Sequence, residues 1–161
     1  MKNILITCSL LVLWIFSIAQ HSEGPVAGKC SLSDLMSGDF GKYYSSEYSG
    51  YDPDSAFIRK IGQRYGDAEI TIVLGTWCHD SQVQVPRFFR ILDALDIKTP
   101  TPELICVDRE KQAGEIDTEE LRITRVPTFI VYRSGKEVGR ITETPETTLE
   151  EDLCIILTDD Q

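Results

Sequence analysis

From residue 52 onward the apolar positions change spacing several times, and each change marks an element. Ala56, Phe57, Ile58 and Ile61 follow Asp52-Pro53-Asp54, an extended residue before proline with acids at a helix start. The spacing predicts a helix to about Tyr65, ended by Gly66. Ile70 to Leu74 is a short apolar run rich in β-branched residues, the pattern of a buried strand, and Gly75 and Thr76 break it. Val83, Val85, Phe88, Phe89 and Leu92 then recur closer to a helical period than to alternation, predicting a helix over about 78–94. Thr99-Pro100-Thr101-Pro102 is a rigid connector, and Leu104 to Val107 is a second strand. Asp108 to Gly114 is polar and reads as a loop, with a brief helix over Glu119 to Ile123 capped by Asp117 or Thr118. Thr128 to Arg133 and Lys136 to Ile141 predict a hairpin around Ser134-Gly135. Thr148 to Leu157 predicts a final helix with Leu149, Leu153 and Ile156 on one face and Glu150, Glu151 and Asp152 in its first turn. Alternating strands and helices, then a hairpin and a helix, predict an α/β fold: a mixed sheet with helices on both faces.

The N-terminal third adds a different kind of information. In residues 1–19, Lys2 precedes an apolar run from Ile4 to Ile18, and Ser17-Ile18-Ala19 supplies small residues for a signal peptidase. The run is short for a membrane span, which needs about 20 apolar residues, and an uncleaved anchor is the alternative. Cys8 lies too early for a lipoprotein cleavage box, and Lys29 before Cys30 spoils that site as well. The mature chain is therefore expected to begin near Gln20, periplasmic or secreted, with no stable membrane insertion after cleavage. Residues 20–53 are expected to form an extension to a domain over 54–161. Leu32, Leu35 and Met36 suggest a short helix capped by Ser31 or Ser33. Phe40, Tyr43, Tyr44, Tyr48 and Tyr51 form either an aromatic wall beside a binding site or an extension packed on the sheet edge.

Length and charge narrow the partners. A chain of 161 residues suits one domain plus small additions. Its net charge is −10, and no basic stripe is present, which argues against nucleic acid; an acidic surface mainly gives solubility. The cysteines beyond the leader, Cys30, Cys78, Cys106 and Cys154, have wide, irregular spacings that do not read as a disulfide framework.

Candidate chemistry centres on Cys78. It falls where a strand ends and a helix begins, facing unpaired backbone N–H groups and the positive end of a helix dipole. Both stabilise negative charge on sulfur, and the thiolate is the nucleophilic form. Strand, then Gly75-Thr76-Trp77-Cys78-x-x-Ser81, then helix, resembles the active-site segment of the thioredoxin superfamily. Arg125-Val126-Pro127-Thr128 with the following Phe129-Ile130-Val131-Tyr132 resembles that family's cis-proline loop and next strand. The resemblance spans roughly residues 55–157, and two motifs about 50 residues apart in the right order carry more weight than either alone. The Trp-Cys-x-Asp-Ser pattern with Val85-Pro86-Arg87-Phe88 after it looks more narrowly like a group of thioredoxin-like proteins of Bacteroidetes type.

The resemblance implies a thioredoxin-like fold, with Trp77 covering Cys78 and a cis Val126-Pro127 pair whose backbone meets a bound peptide. His79 is a further candidate for that surface, able when protonated to stabilise the thiolate, while Asp80 would oppose it. No cofactor is implied, and Cys78, His79 and Asp80 are too close in sequence to converge on one tetrahedral metal ion. His21 lies in the leader.

Two departures matter. The family's second cysteine is replaced by Ser81, whose hydroxyl can donate a hydrogen bond to the Cys78 thiolate but cannot displace a disulfide sulfur. The family's buried acid, six residues before the first cysteine, is replaced by Ile72. Cys106 and Cys154 are expected as buried apolar residues. Cys30 is open between a resolving thiol for Cys78, a partner for Cys154 and a free thiol, and the exposed Gly28-Lys29 argues against its pairing with Cys78. Two functions remain: monothiol exchange through Cys78 with protein or small-molecule thiols and disulfides, or a non-enzymatic module that binds a peptide or protein in the same groove.

Overall fold

A computed structural model of the protein describes residues 27–159. The expected targeting segment 1–19, the expected start at Gln20 and His21 lie outside the described residues. In chain order the elements are β1 (Gly28–Cys30), α1 (Leu32–Met36), α2 (Asp39–Gly50), α3 (Ser55–Arg64) and β2 (Glu69–Leu74). There follow α4 (His79–Ala94), β3 (Glu103–Cys106), β4 (Thr128–Arg133), β5 (Lys136–Thr142) and α5 (Leu149–Asp159). The fold is α/β, and no helix among the described residues is long and apolar enough to cross a membrane.

The strands form one mixed sheet in the order β1-β3-β2-β4-β5. β2 lies at its centre, parallel to β3 with Leu74 opposite Cys106, and antiparallel to β4 with Ile72 opposite Phe129. β4 and β5 make the expected hairpin, and its turn residues Ser134 and Gly135 have φ of 50° and 74°. That left-handed pair is what a tight turn matching the strand twist requires.

Strand alternation sorts the side chains onto two unequal faces. Ile70, Ile72, Leu74, Leu104, Cys106, Phe129, Val131 and Ile141 share one core with side chains from all five helices. Within it α4 lays Val85, Phe88 and Leu92 against the sheet, and the Phe88 ring stacks on Phe129 at 4.5 Å. Each such fully buried side chain contributes about 1.5–3 kcal/mol. Val73, Ile105, Val107, Val126 and Ile130 line the opposite face, covered by Ala113, Ile116, Leu121 and Ile123. The expected helices on both faces are therefore not found among the described residues: every helix packs on the first face.

The reason lies in residues 108–125, where the brief helix expected over 119–123 is replaced by turns. Lys111, Gly114 and Arg122 take φ of 62°, 63° and 53°, which no helix tolerates. Asp108 accepts from the Gln112 N–H, Asp117 accepts from the N–H groups of Glu119 and Glu120, and Thr118 donates to the Lys111 carbonyl. Side chains thus satisfy locally the backbone groups that a helix would pair. Arg140 on β5 fastens this segment, donating to the carbonyl oxygens of Leu121 and Arg122 while pairing with Glu137, which also binds Arg122.

The N-terminal residues are built into the same body. β1 adds antiparallel to β3 at the sheet edge, so Gly28 and Lys29 are strand rather than a flexible leader. Ser31 caps α1 as one of the two expected candidates, with Asp34 completing a reciprocal capping box. The aromatic stretch is helix α2, lying along α4 rather than on the sheet edge. Its Tyr44 ring meets Phe89 at 6.1 Å, Tyr48 donates to Asp93 at 2.7 Å and Glu47 pairs with Arg87 at 2.7 Å. Tyr51 donates to the buried Glu150, which also accepts the Asp54 N–H at 3.0 Å; burial, aided by that bond, pushes the Tyr51 phenol well above its ordinary range. Helix propensity in this Ser-, Gly- and Tyr-rich run is weak, and packing decides it.

Cys30 and Cys106 form a disulfide across the β1–β3 ladder, with their Cα atoms 6.2 Å apart. This corrects the expectation of a free, merely apolar Cys106, and gives Cys30 a partner that the sequence did not suggest. Three residues of edge strand carry no alternation signal, so nothing in the spacing placed Cys30 beside Cys106. Cys78 and Cys154 are free thiols.

Two outcomes follow. The bridge closes a loop of sequence separation 76, and loop-closure entropy over that length amounts to about 4 kcal/mol. A Cys30→Ser, Cys106→Ser double variant should lose much of that in urea unfolding; an unchanged midpoint would mean the bridge contributes nothing. Bonded to Arg140, and secondarily to Arg122, the Glu137 carboxyl is held below the usual glutamate range. A lowered folded value gives stability that is present at neutral pH and lost as pH falls below the ordinary glutamate value and through the lowered one. Glu137→Gln should flatten that part of the acid-unfolding curve, and an identical pH profile would contradict it.

Candidate functional site

Cys78 is the N-cap residue of α4, at the end of the central strand. The connection from β2 is short and closed by its own hydrogen bonds. Cys78 N–H donates to the Gly75 carbonyl at 2.9 Å, and Gln82 N–H donates to the Cys78 carbonyl at 3.0 Å. The Gln82 side chain reaches back to the Thr76 carbonyl at 2.9 Å, tying the turn to the first turn of the helix. The cysteine side chain makes no capping bond, which leaves the sulfur directed elsewhere.

That direction is the Val126-Pro127 loop. The Cys78 thiol donates to the Val126 carbonyl oxygen at 3.2 Å, and the Val126–Pro127 peptide bond is cis. The loop is fastened on both sides of the bond. Thr128 donates to the Arg125 carbonyl at 2.7 Å, the Glu143 N–H donates to the Pro127 carbonyl at 2.6 Å, and Arg125 pairs with Glu143 at 2.7 Å. Val126 and Pro127 are buried, and Cys78 is half-buried.

Trp77 flanks the sulfur on the other side. Its indole N–H donates to the Val107 carbonyl at 3.0 Å, and the Arg109 guanidinium lies over its ring at 5.1 Å from the centroid. The ring lies against Gly75, where an added Cβ would come within 2.7 Å of it. Glycine is required here for close approach.

Ser81 is fully buried, and its hydroxyl oxygen accepts the Gly75 N–H at 3.3 Å. Among the described residues its hydrogen-bond partner is that backbone group and not Cys78. Ser81 thus holds the turn beneath the cysteine. The exposed His79 makes no side-chain hydrogen bond or ion pair among the described residues, and Asp80 is half-buried. No group of three metal-ligating side chains converges among the described residues. Ile72, six residues before Cys78, is fully buried.

The site therefore brings Trp77, Cys78, Val126 and Pro127 together, with Ser81 under the turn and His79 at its rim. Gln82, Val107 and Arg109 were not evident from sequence. The i, i+4 relation of Cys78 and Gln82 was a usable signal; the carbonyl of Val107 and the stacked Arg109 depend on where the polar segment after β3 folds. Surface depressions of about 440, 380 and 310 Å³ are lined by other parts of α3, α4, α5 and β5, and none of their lining residues belongs to the Cys78 turn. A thiol beside an open loop is a setting for contact with a chain segment or a small thiol at the surface, rather than for an enclosed ligand.

No protein-family model matches the chain, and no curated protein matches it. Among solved structures it is similar to a protein of unknown function from Pseudomonas aeruginosa. That likeness has 15% identity and a TM-score of 0.51, covering 83% of this chain and 89% of the other. It is also similar to an HIV epitope-scaffold at 13% identity and a TM-score of 0.54, covering 83% of this chain and 90% of that one. At such identities the likeness speaks for the fold alone.

The Gly75–Trp77 contact can be tested directly. Gly75→Ala should displace the indole, shift tryptophan emission to the red and cost about 1–3 kcal/mol, the range for overpacking a close contact. Unchanged emission and stability would contradict the packing described.

Proposed function

We propose that this is an exported, thioredoxin-like protein that carries out monothiol thiol–disulfide exchange through Cys78. The observation that carries the reading is the meeting of Cys78, at a helix N-terminus, with the carbonyl of Val126 beside the cis Val126–Pro127 bond. The Trp-Cys-x-x-Ser and Val-Pro-Thr motifs of the thioredoxin resemblance fall on those two segments. The pattern of residues 1–19 supports export, and the Cys30–Cys106 bridge suits an oxidising compartment.

In this reading the Cys78 thiol gives its proton to solvent and the sulfur attacks one sulfur of an incoming disulfide. A Cys78–substrate bond forms as the substrate's own bond breaks, and the electron pair leaves with the second sulfur, which takes up a proton from solvent. The Val126 carbonyl, released from the thiol, becomes free to accept an N–H from the bound chain. An external thiol then attacks the mixed disulfide and returns Cys78, since Ser81 has no sulfur and Cys30 is engaged with Cys106. The half-buried Trp77 supplies apolar surface beside the sulfur. A second reading, a binding module without turnover, draws on Ser81 making no hydrogen bond to the Cys78 sulfur among the described residues, its oxygen accepting the Gly75 N–H instead.

Ser81→Cys separates the two. Positions 78 and 81 are one helical turn apart, within disulfide reach. Insulin reduction by Ser81→Cys should rise above the parent protein, and Cys78→Ser should abolish mixed-disulfide formation with an added small disulfide. A parent protein that forms no mixed disulfide at Cys78, and a Ser81→Cys variant that gains nothing, would leave the binding module as the better description.

A further inference from the structure

We infer that the Cys78 site favours disulfides that carry a carboxylate near the attacked sulfur, and that Arg109 is the residue that selects them. The inference rests on the exchange reading above and names its substrate class.

Acidic residues outnumber basic ones in this chain by 26 to 16. Arginines near carboxylates are accordingly paired: Arg87 with Glu47, Arg122 and Arg140 with Glu137, Arg125 with Glu143 and Arg133 with Asp67. Arg109 makes no ion pair among the described residues. Its guanidinium is seated instead on the face of Trp77, the residue before the reactive cysteine. That seat is firm, because the indole is fixed by the Val107 carbonyl at 3.0 Å and by its close fit against Gly75. A guanidinium over the ring spends none of its N–H donors on an ion pair among the described residues, and those donors suit a carboxylate, which arginine recognises best. The neighbouring acids do not take that role: Asp108 turns onto the Gln112 N–H at 2.8 Å, and Glu110 forms no ion pair among the described residues. Arg125, on the other side of the sulfur, is already neutralised by Glu143. Arg109 is therefore a cation without an ion-pair partner among the described residues, lying over the residue next to Cys78 in a strongly negative protein. A carboxylate there lowers the energy of the encounter and of the exchange step, while an ammonium group raises it.

The step itself is the balanced, redox-neutral exchange given above, so the test needs only disulfides that differ in charge. Dithiodipropionate, bis(2-hydroxyethyl) disulfide and cystamine present anionic, neutral and cationic versions of one aliphatic disulfide. The rate at which each becomes attached to Cys78 is followed by peptide mass spectrometry, at low and at high salt. Relative to a small free thiol attacking the same three reagents, which cancels their differing leaving-group pKa values, the native protein should favour the anionic and disfavour the cationic reagent. Arg109→Gln should slow the anionic reagent by about threefold to fivefold at low ionic strength, leave the neutral one unchanged and narrow the order, as high salt should also do. A merely structural Arg109 would change all three rates together. If Cys78 reacts with all three but without regard to charge or to Arg109, this inference is overturned while the exchange reading stands. If Cys78 joins to none of them, the exchange reading falls and takes this inference with it.

Discussion

β2 is hydrogen-bonded on both edges and buried on both faces. Ile70, Ile72 and Leu74 point into the helical side of the sheet, and Val73 into the other. A one-residue slip would exchange those faces, so register is fixed throughout the strand. The position of everything attached to its end is then fixed too. Gly75 is the first residue past the strand, small enough for Trp77 to lie against it, and the turn it begins delivers Cys78 to the N-terminus of α4. β4 is held against the other edge of β2, which brings the segment entering β4, Val126-Pro127, up to the same sulfur. The site is a consequence of two neighbouring strands sharing one end of the sheet.

The sheet's two faces are covered by different means. Among the described residues five helices bury one of them, while the other is sealed by the turns of residues 108–125 and the clamp of Arg140 on Leu121, Arg122 and Glu137. This asymmetry bears on the site, because the wall beside Trp77 comes from the turn-built side: Val107 and Arg109 belong to it, and their contacts with the indole link the two. Cys78 is thus framed by rigid elements on one flank and by a segment held through side-chain hydrogen bonds on the other.

Elements with strong internal periodicity were legible in the sequence. The buried run of β2, the helical spacing of α4 and the Ser134-Gly135 hairpin all lie within a residue or two of expectation. So was the juxtaposition of Cys78 with Val126-Pro127, because two motifs in order constrain each other. What escaped was whatever depends on long-range packing. β1 is three residues long and is a strand only because β3 is beside it, so its disulfide to Cys106 left no trace in spacing. α2 is made helical by its fit to α4, Gly41 being needed because a Cβ there would collide with the Met36 carbonyl. The polar run after β3 had the composition of a helix start at Asp117, but local caps and left-handed residues turned it another way. Ser81 was expected as a hydrogen-bond donor to the sulfur; its acceptance of the Gly75 N–H beneath the turn is a further contact that the spacing did not announce.

The most direct measurement of whether the fold makes Cys78 a working nucleophile is its own alkylation rate, read by peptide mapping in the folded protein and again in urea. If the helix N-terminus activates the sulfur, iodoacetamide should label Cys78 several-fold faster in the folded protein than in the unfolded chain at the same pH. Slower labelling on folding would contradict the exchange chemistry, and would mean that the loop shields the thiol rather than presenting it.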